Sequence, residues 1–209
     1  MKKEVIDFVK ALKEKQFDKA TEMMVKDNES EARVLWPELV LFDTQEAVIF
    51  LAIDEKQKNM FNAIIHHKSF SKDYDAKVTD LCGEPILHRI LFNTIDEEIT
   101  KEEKDILISM LEDGIDSGIF DLNQIDRNYD TLLQAMLQYG DESVIPACIK
   151  LIKNEKVNIT NVNDIGLTAY GCALKGELSR LADMILERKD FMATQGDIKK
   201  LFKHLKNNG

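Results

Sequence analysis

The chain has 209 residues, of which 44% are hydrophobic, 32% are charged and 7% are aromatic. Its 28 Lys and Arg residues stand against 38 Asp and Glu residues, so the formal net charge is −10. Binding to nucleic acid or anionic lipid without regard to sequence needs a surplus of Lys and Arg, so neither a nucleic acid nor a membrane is expected as a partner.

The sequence also predicts a soluble cytoplasmic protein. Its longest uninterrupted apolar run, residues 47–53, is far shorter than the roughly 18 residues of a membrane span. The charged residues close to Met1 argue against a signal peptide. The three cysteines are odd in number and far apart, which is typical of a reducing compartment.

The apolar residues recur at spacings of three and four, which is typical of amphipathic helices, and strand-like alternation is short. An all-α fold is therefore predicted. Residues 1–27 are expected to form an N-terminal capping helix pair. Residues 28–43, the least regular stretch, are predicted to be a connector in which Trp36 is packed.

A pair of mostly apolar residues followed four positions later by a second apolar pair recurs every 37 to 46 residues. This four-residue step marks the longer helix of each predicted helix pair, and the steps begin at Lys19, Met60, Ile106, Val144 and Leu181. The last four steps each follow a shorter apolar helix. A recurring unit of this length indicates a repeat architecture. We therefore predict repeats over residues 44–187 and a C-terminal cap over 188–209, closed by a helix with Asp197 in its first turn.

Three segments that lead into short helices resemble ankyrin repeats, whose pattern is D-V-N followed by D-x-x-G-x-T-P-L-H-x-A. They are residues 80–88, 121–133 and 163–173. Tyr129 stands where the turn glycine belongs, and the connectors exceed those of the 33-residue family unit. The chain is thus similar to an ankyrin-type helical repeat solenoid, a single domain over 1–209 with four to five divergent repeats and helical end caps.

Local signals agree with this assignment of helices. Thr100 and Glu103 form a capping-box pattern before a long helix. Pro146 falls in a first helical turn, where its missing N–H costs little. Gly83 and Gly166 suit turns that need a positive φ.

No sequence motif points to catalysis, a cofactor or a metal, so we expect a protein that is not an enzyme. His66 and His67 are interpreted as a solvent-side helix end, and the three cysteines as small buried residues of helices. His88 fills the Leu-His position of the ankyrin pattern, where the ring is expected to bond the neighbouring turn.

The resemblance implies a curved stack whose concave side, made of short helices and hairpin tips, binds another protein. Outward positions on this side would include Ala135 and Cys172 in the short helices and Glu84, Asp130 and Leu167 at the tips. The expected partner-binding residues are Arg89, Phe92, Asn93, Arg127, Tyr129, Gln138, Tyr139 and Lys175. A Tyr129 ring folded onto the neighbouring tip is an equal alternative to a displayed ring.

We therefore expect a monomeric protein–protein interaction scaffold. A bacterial or parasite effector, or a neutralising protein that acts on a host or toxin partner, stays open as an alternative, and with it delivery into a host cell. A regulatory subunit with an unrecognised small-molecule site and an assembly role through the end caps are further alternatives.

Overall fold

A computed structural model describes residues 3–30, 47–73 and 75–208. These residues form α-helices and two short 3-10 helices without any β-strand, which confirms the predicted all-α class. Within the described ranges, no helix has both the length and the apolar character needed to cross a bilayer.

The α-helices follow the predicted order of elements. They are α1 Lys3–Lys13, α2 Phe17–Glu29, α3 Val48–Asp54, α4 Lys58–Ile65, α5 Ile86–Thr94, α6 Lys101–Ser117, α7 Leu132–Tyr139, α8 Ile145–Lys153, α9 Ala169–Lys175, α10 Ser179–Leu186 and α11 Gln195–Asn208. The predicted N-terminal helix pair is present, although α2 runs two residues beyond the expected boundary. The rest of the predicted connector, including Trp36, lies outside the described residues.

The chain divides into two compact units, Met1–Asp121 and Leu122–Gly209. In the first unit, α3 packs on α4 and α5, and α6 packs on α4 and α5, while α2 contacts α1 and α4. In the second unit, α9 packs on α7, α10 and α11, and α8 contacts α7 and α10. Neighbouring helix pairs therefore contact each other in chain order inside each unit. A single repeat domain over 1–209 stays a prediction.

Three helix pairs share one turn. The first helix of α1–α2, α3–α4 and α9–α10 ends before a left-handed residue, Lys15, Lys56 or Glu177, with φ of 54°, 53° and 60°. The next N–H donates to a carbonyl five residues back, as in a Schellman motif. The donor–acceptor pairs are Gln16–Ala11, Gln57–Ala52 and Leu178–Ala173, at 2.8, 2.7 and 2.9 Å. Glu-Lys-Gln at both 14–16 and 55–57 is a sequence signal of this repetition that our sequence analysis missed.

The predicted helix starts are confirmed. Thr100 Oγ1 accepts the Glu103 N–H at 3.2 Å while Glu103 Oε2 accepts the Thr100 N–H at 3.0 Å, so a capping box opens α6. Pro146 lies in the first turn of α8. The connector of α5 and α6 spans residues 95–100.

Two leucines test the register of the helix pairs, that is, which side of each short helix faces the packed interior. Leu87 in α5 is 4% exposed and Leu133 in α7 is completely buried. Replacing either one by Ala leaves a cavity in a packed interior, so we expect a loss of about 2–5 kcal/mol in the free energy of unfolding. Urea unfolding measures this loss. Leu186→Ala, at a residue that is 45% exposed, is the matched control and should change stability by less than about 0.5 kcal/mol. An equally small loss for Leu87→Ala or Leu133→Ala would contradict the register.

Candidate partner-binding surface

Three five-residue turns lead into the short helices α5, α7 and α9 and share one hydrogen-bond pattern. The first residue of each turn is Asp or Asn, and its Oδ1 accepts the backbone N–H of the fifth residue at 2.9 Å. Its own N–H donates to the carbonyl of the fifth residue at 3.0 to 3.1 Å. Such side-chain bonds to the backbone stabilise a tight turn. We name these turns tip A (80–84), tip B (126–130) and tip C (163–167).

The fourth residue of each tip has a left-handed backbone. It is Gly83 in tip A and Gly166 in tip C, with φ of 83° and 79°, but Tyr129 in tip B, with φ of 61°. This conformation costs a residue with a side chain about 1–2 kcal/mol and costs glycine little. Tyr129 is 58% exposed, which favours a displayed ring over one folded onto the neighbouring tip.

A buried carboxylate organises the exposed edge of the second unit. Asp130 is 1% exposed and accepts hydrogen bonds from Asn163 Nδ2 at 2.7 Å and from Gln138 Nε2 at 2.9 Å. Gln138 Oε1 in turn accepts Lys175 Nζ at 2.7 Å. The same ammonium lies 5.2 Å from the ring centroid of Tyr139, within the range of a cation–π contact. Tip B, tip C, α7 and α9 are thereby connected through side chains.

This network brings three of the predicted partner-binding residues together, namely Gln138, Tyr139 and Lys175. Tyr139 is 41% exposed, and Lys175 is also exposed. Arg127 is exposed on tip B, where Tyr129 also lies. The second unit therefore displays two tyrosines and two cations on its tips and short helices.

The predicted residues of the first unit form a separate cluster around Arg89. Its guanidinium binds both carboxylate oxygens of Asp54, at 2.9 and 3.0 Å, and Asp80 Oδ2 at 3.1 Å. Asn93 Nδ2 donates to Asp54 Oδ1 at 3.1 Å, and Phe92 is half-buried. Arg89 thus fastens the end of α3 to tip A and α5.

Several positions predicted to face outward are buried instead. The fifth residues of the tips, Glu84, Asp130 and Leu167, are at most 5% exposed, because the hydrogen bonds that close each tip turn them inward. Ala135 and Cys172 are completely buried. They lie in α7 and α9, which pack on each other.

Two interpretations of titratable residues are wrong as well. His67 is 3% exposed, and its Nε2 lies 3.6 Å from Oδ2 of the buried Asp27; only His66 is the expected exposed helix end. Cys82 is exposed on tip A rather than buried in a helix, whereas Cys148 and Cys172 are buried as predicted.

Buried polar residues hold the candidate surface in place. Gln134 Nε2 donates to the carbonyls of Asn161 and Leu167 at 3.0 Å. Asp130 and Asn163 were not predicted as a buried polar pair. The Asp or Asn at the first tip position could have located the tips from the sequence, because it recurs at the intervals of the helical repeats.

Burial shifts the acidity of several groups in the second unit. It raises the pKa of Asp130 to about 6; hydrogen bonds from Asn163 and Gln138 oppose this shift and the charge of Asp126 adds to it. Burial also raises the pKa of the Cys148 thiol to about 12 and the pKa of Cys172. Burial, and then the charge of Asp130, raise the pKa of Tyr139. Asp130 therefore changes charge at a higher pH than an exposed carboxyl group does.

In the described part of the chain, no group of His, Cys, Asp and Glu side chains is arranged to hold a metal ion. Comparison with models of known protein families and with curated proteins finds no match for the chain. The ankyrin resemblance consequently stays a prediction, based on the repeated residues and turns.

Replacing Tyr129 by Gly should stabilise the protein. Glycine adopts the positive φ of tip B without steric cost, and part of this gain is offset because glycine is more flexible in the unfolded chain. We expect the free energy of unfolding, measured in urea, to rise by roughly 0.5–1 kcal/mol. Gly166→Ala places a side chain at the equivalent position of tip C and should lower it by a similar amount. A destabilised Tyr129→Gly variant would show that the ring contributes packing instead.

The buried Asp130 predicts a particular pH dependence. Because its folded pKa lies near 6 and its usual value is 3.8, the folded state binds more protons than the unfolded state between these values. Through this group, the free energy of unfolding falls as the pH rises from about 4 to about 6. Asp130→Asn removes this titration. Between pH values of about 4 and 6, the free energy of unfolding of wild type should therefore fall by roughly 2–3 kcal/mol relative to that of the variant.

Urea unfolding at several pH values between about 4 and 7 measures this difference. Asp183→Asn, at an exposed residue of α10, is the matched control and should run parallel to wild type. If Asp130→Asn also runs parallel to wild type, the carboxyl does not titrate in this window.

Proposed function

We propose that this protein is a non-enzymatic interaction scaffold that binds another protein. In this proposal residues 44–187 form a divergent ankyrin-type repeat solenoid, α1 and α2 cap one end, and residues 188–209 cap the other. The partner lies on the short helices and tips. The observation that carries the proposal is the exposed Tyr129 in the glycine position of tip B.

The repetition of turns supports the ankyrin-type arrangement. Tips A, B and C share a closing hydrogen bond, a left-handed fourth residue and a following short helix. The Schellman turns recur after α1, α3 and α9. A helix pair of this kind buries its apolar side against its neighbours, which leaves the short helices and tips as the edge on which a partner can dock.

The chemistry of the second unit supports protein binding at that edge. Tyrosine is enriched at interface hot spots, and Tyr129 and Tyr139 are 58% and 41% exposed. Gln138 donates a hydrogen bond to Asp130 and accepts one from Lys175, whose ammonium lies near the Tyr139 ring. These contacts hold the Tyr139 region in place, which lowers the entropy lost on binding. Ile125, Val162 and Ile165 add exposed apolar surface at or beside tips B and C.

Tyr129 also carries a cost that its surroundings do not require. Gly83 and Gly166 show that the turn forms with glycine. Strained residues that a simpler residue could replace are concentrated at functional sites. The presence of a large aromatic residue at this position therefore favours a binding role for its ring.

The proposal is tested with the variant Tyr129→Gly plus Tyr139→Ala. The tagged full chain is used to purify partners from its native cells, and we expect the variant to lose the specific partners that wild type retains. Truncating a hot-spot residue costs about 2 kcal/mol or more, so the affinity for a purified partner should fall at least about tenfold for each tyrosine. Calorimetry with the recovered partner measures this change.

Ile6→Ala is the control, because it removes an apolar residue that is 48% exposed in α1 without touching the tips. Urea unfolding of each variant shows whether it is folded. Tyr129→Gly is expected to be stabilising, so a loss of binding in a folded variant reflects the surface and not the fold. If the double variant binds every specific partner as wild type does, the short helices and tips of the second unit are not the binding surface.

A further inference from the structure

The C-terminal helix α11 is anchored to the second unit through a buried acid. Asp197 is completely buried, and its carboxylate accepts the Thr168 N–H at 3.0 Å, the Thr168 hydroxyl at 2.9 Å and the Thr194 N–H at 2.8 Å. The Thr194 hydroxyl donates to the carbonyl of Gly166 at 2.9 Å. A Cβ at Gly171 would overlap the Asp197 carboxylate, so this close approach needs glycine. These contacts determine which face of α11 turns inward.

With that face inward, α11 exposes an apolar stripe. Ile198, Phe202 and Leu205 are 47%, 62% and 58% exposed, and their spacing of four and three places them on one side of the helix. A helix that closes a stack of helix pairs is expected to have a polar outer face. Asp197 prevents α11 from rotating to bury this stripe.

A basic stripe lies next to the apolar one. Lys199, Lys203 and Lys206 are exposed and each follows an apolar residue of the stripe by one position, about 100° around the helix. Residues 122–209 hold 12 Lys and Arg against 11 Asp and Glu, so the net charge of −10 comes from residues 1–121. The outer face of α11 is thus a local cationic surface on an acidic chain.

We propose that the outer face of α11 docks an acidic amphipathic helix of a partner protein. The apolar side of that helix would pack on Ile198, Phe202 and Leu205. Its Asp and Glu residues would lie beside the lysines, as charged residues flank the apolar seam in paired helices. This surface is separate from the tips and short helices, so the inference goes beyond the proposed function.

Charge favours an acidic helix over two other occupants of this face, a second copy of α11 and an anionic membrane. Two copies of α11 packed face to face would place lysines against lysines, which is repulsive. An anionic membrane would attract the lysines, but the chain's net charge of −10 opposes its approach. Three apolar side chains also supply little of the insertion energy on which interfacial helices depend. A single acidic helix matches both the length and the charge of the surface.

The full chain is titrated with two labelled helical peptides and binding is followed by fluorescence anisotropy. One peptide has a Leu stripe flanked by Glu, and the other carries Lys in place of Glu. We expect the Glu peptide to bind at least about tenfold more tightly, with an affinity that falls as the salt concentration rises. Phe202→Ser and the double variant Lys199→Glu plus Lys203→Glu should each weaken its binding at least about tenfold, and the charge-reversed variant should prefer the Lys peptide.

Matched controls remove the same chemistry elsewhere. Val25→Ser replaces an apolar residue that is 47% exposed in α2, and Lys153→Glu plus Lys156→Glu reverses two exposed lysines in and after α8. Both should bind the Glu peptide as wild type does. Tyr129→Gly plus Tyr139→Ala should also bind it normally, which separates this proposal from the proposed function.

Three results would overturn the proposal. The first is that the Glu peptide does not bind, or binds no better than the Lys peptide. The second is that the full chain instead binds phosphatidylserine–phosphatidylcholine vesicles and that Phe202→Ser abolishes this binding. The third is concentration-dependent self-association in light scattering that the α11 variants remove, because a second copy would then cover the stripe.

Discussion

Two helices joined by a tight turn leave an apolar side uncovered, and inside each compact unit a neighbouring helix pair covers that side. The short helix α3 packs on α5 and α7 packs on α9, while the longer helices α4 and α8 contact α6 and α10. Burial of Leu133 and of the α4 residue Phe61 follows from these contacts. Because packing uses these sides of the helices, the ends of the short helices and the tips are left for other contacts.

The two clusters at those ends are built from different interactions. Arg89 is bound to Asp54 and Asp80, but the Arg89–Asp54 pair is about one-third exposed, and such pairs contribute little to stability because water screens them. Asp80 is buried, and so is Asp130, which is bound by neutral amides rather than by a cation. A satisfied buried network holds a specific geometry, so Asp130 keeps Gln138 and Asn163 in place.

The non-glycine residues with positive φ fall into two groups, those whose conformation a helix-ending turn requires and one whose turn also forms with glycine. Lys15, Lys56 and Glu177 adopt this conformation in the same helix-ending turn, where the Schellman hydrogen bonds compensate for it. Tyr129 adopts it in a tip whose two counterparts use glycine. The first three therefore describe how helix pairs are joined, whereas the strain at Tyr129 is not required by the turn in which it lies.

Periodicity and capping residues were sufficient to predict the helices, because the helical period and the caps depend on neighbours within four residues in the chain. Thr100, Pro146 and the four-residue apolar steps belong to this class. The pairing of His67 with Asp27 and the burial of Cys172 depend on contacts between elements distant in sequence. No local pattern specifies these contacts.

The candidate surface shows the same division. Sequence alone identified Gln138, Tyr139 and Lys175 as residues at the end of a short helix, which needs only the helical period. Tertiary structure decided that Asp130 and Asn163 hold them together and that Asp197 turns Ile198, Phe202 and Leu205 outward. A buried carboxylate is oriented by partners from several elements at once, and those partners are brought together only when the chain has folded.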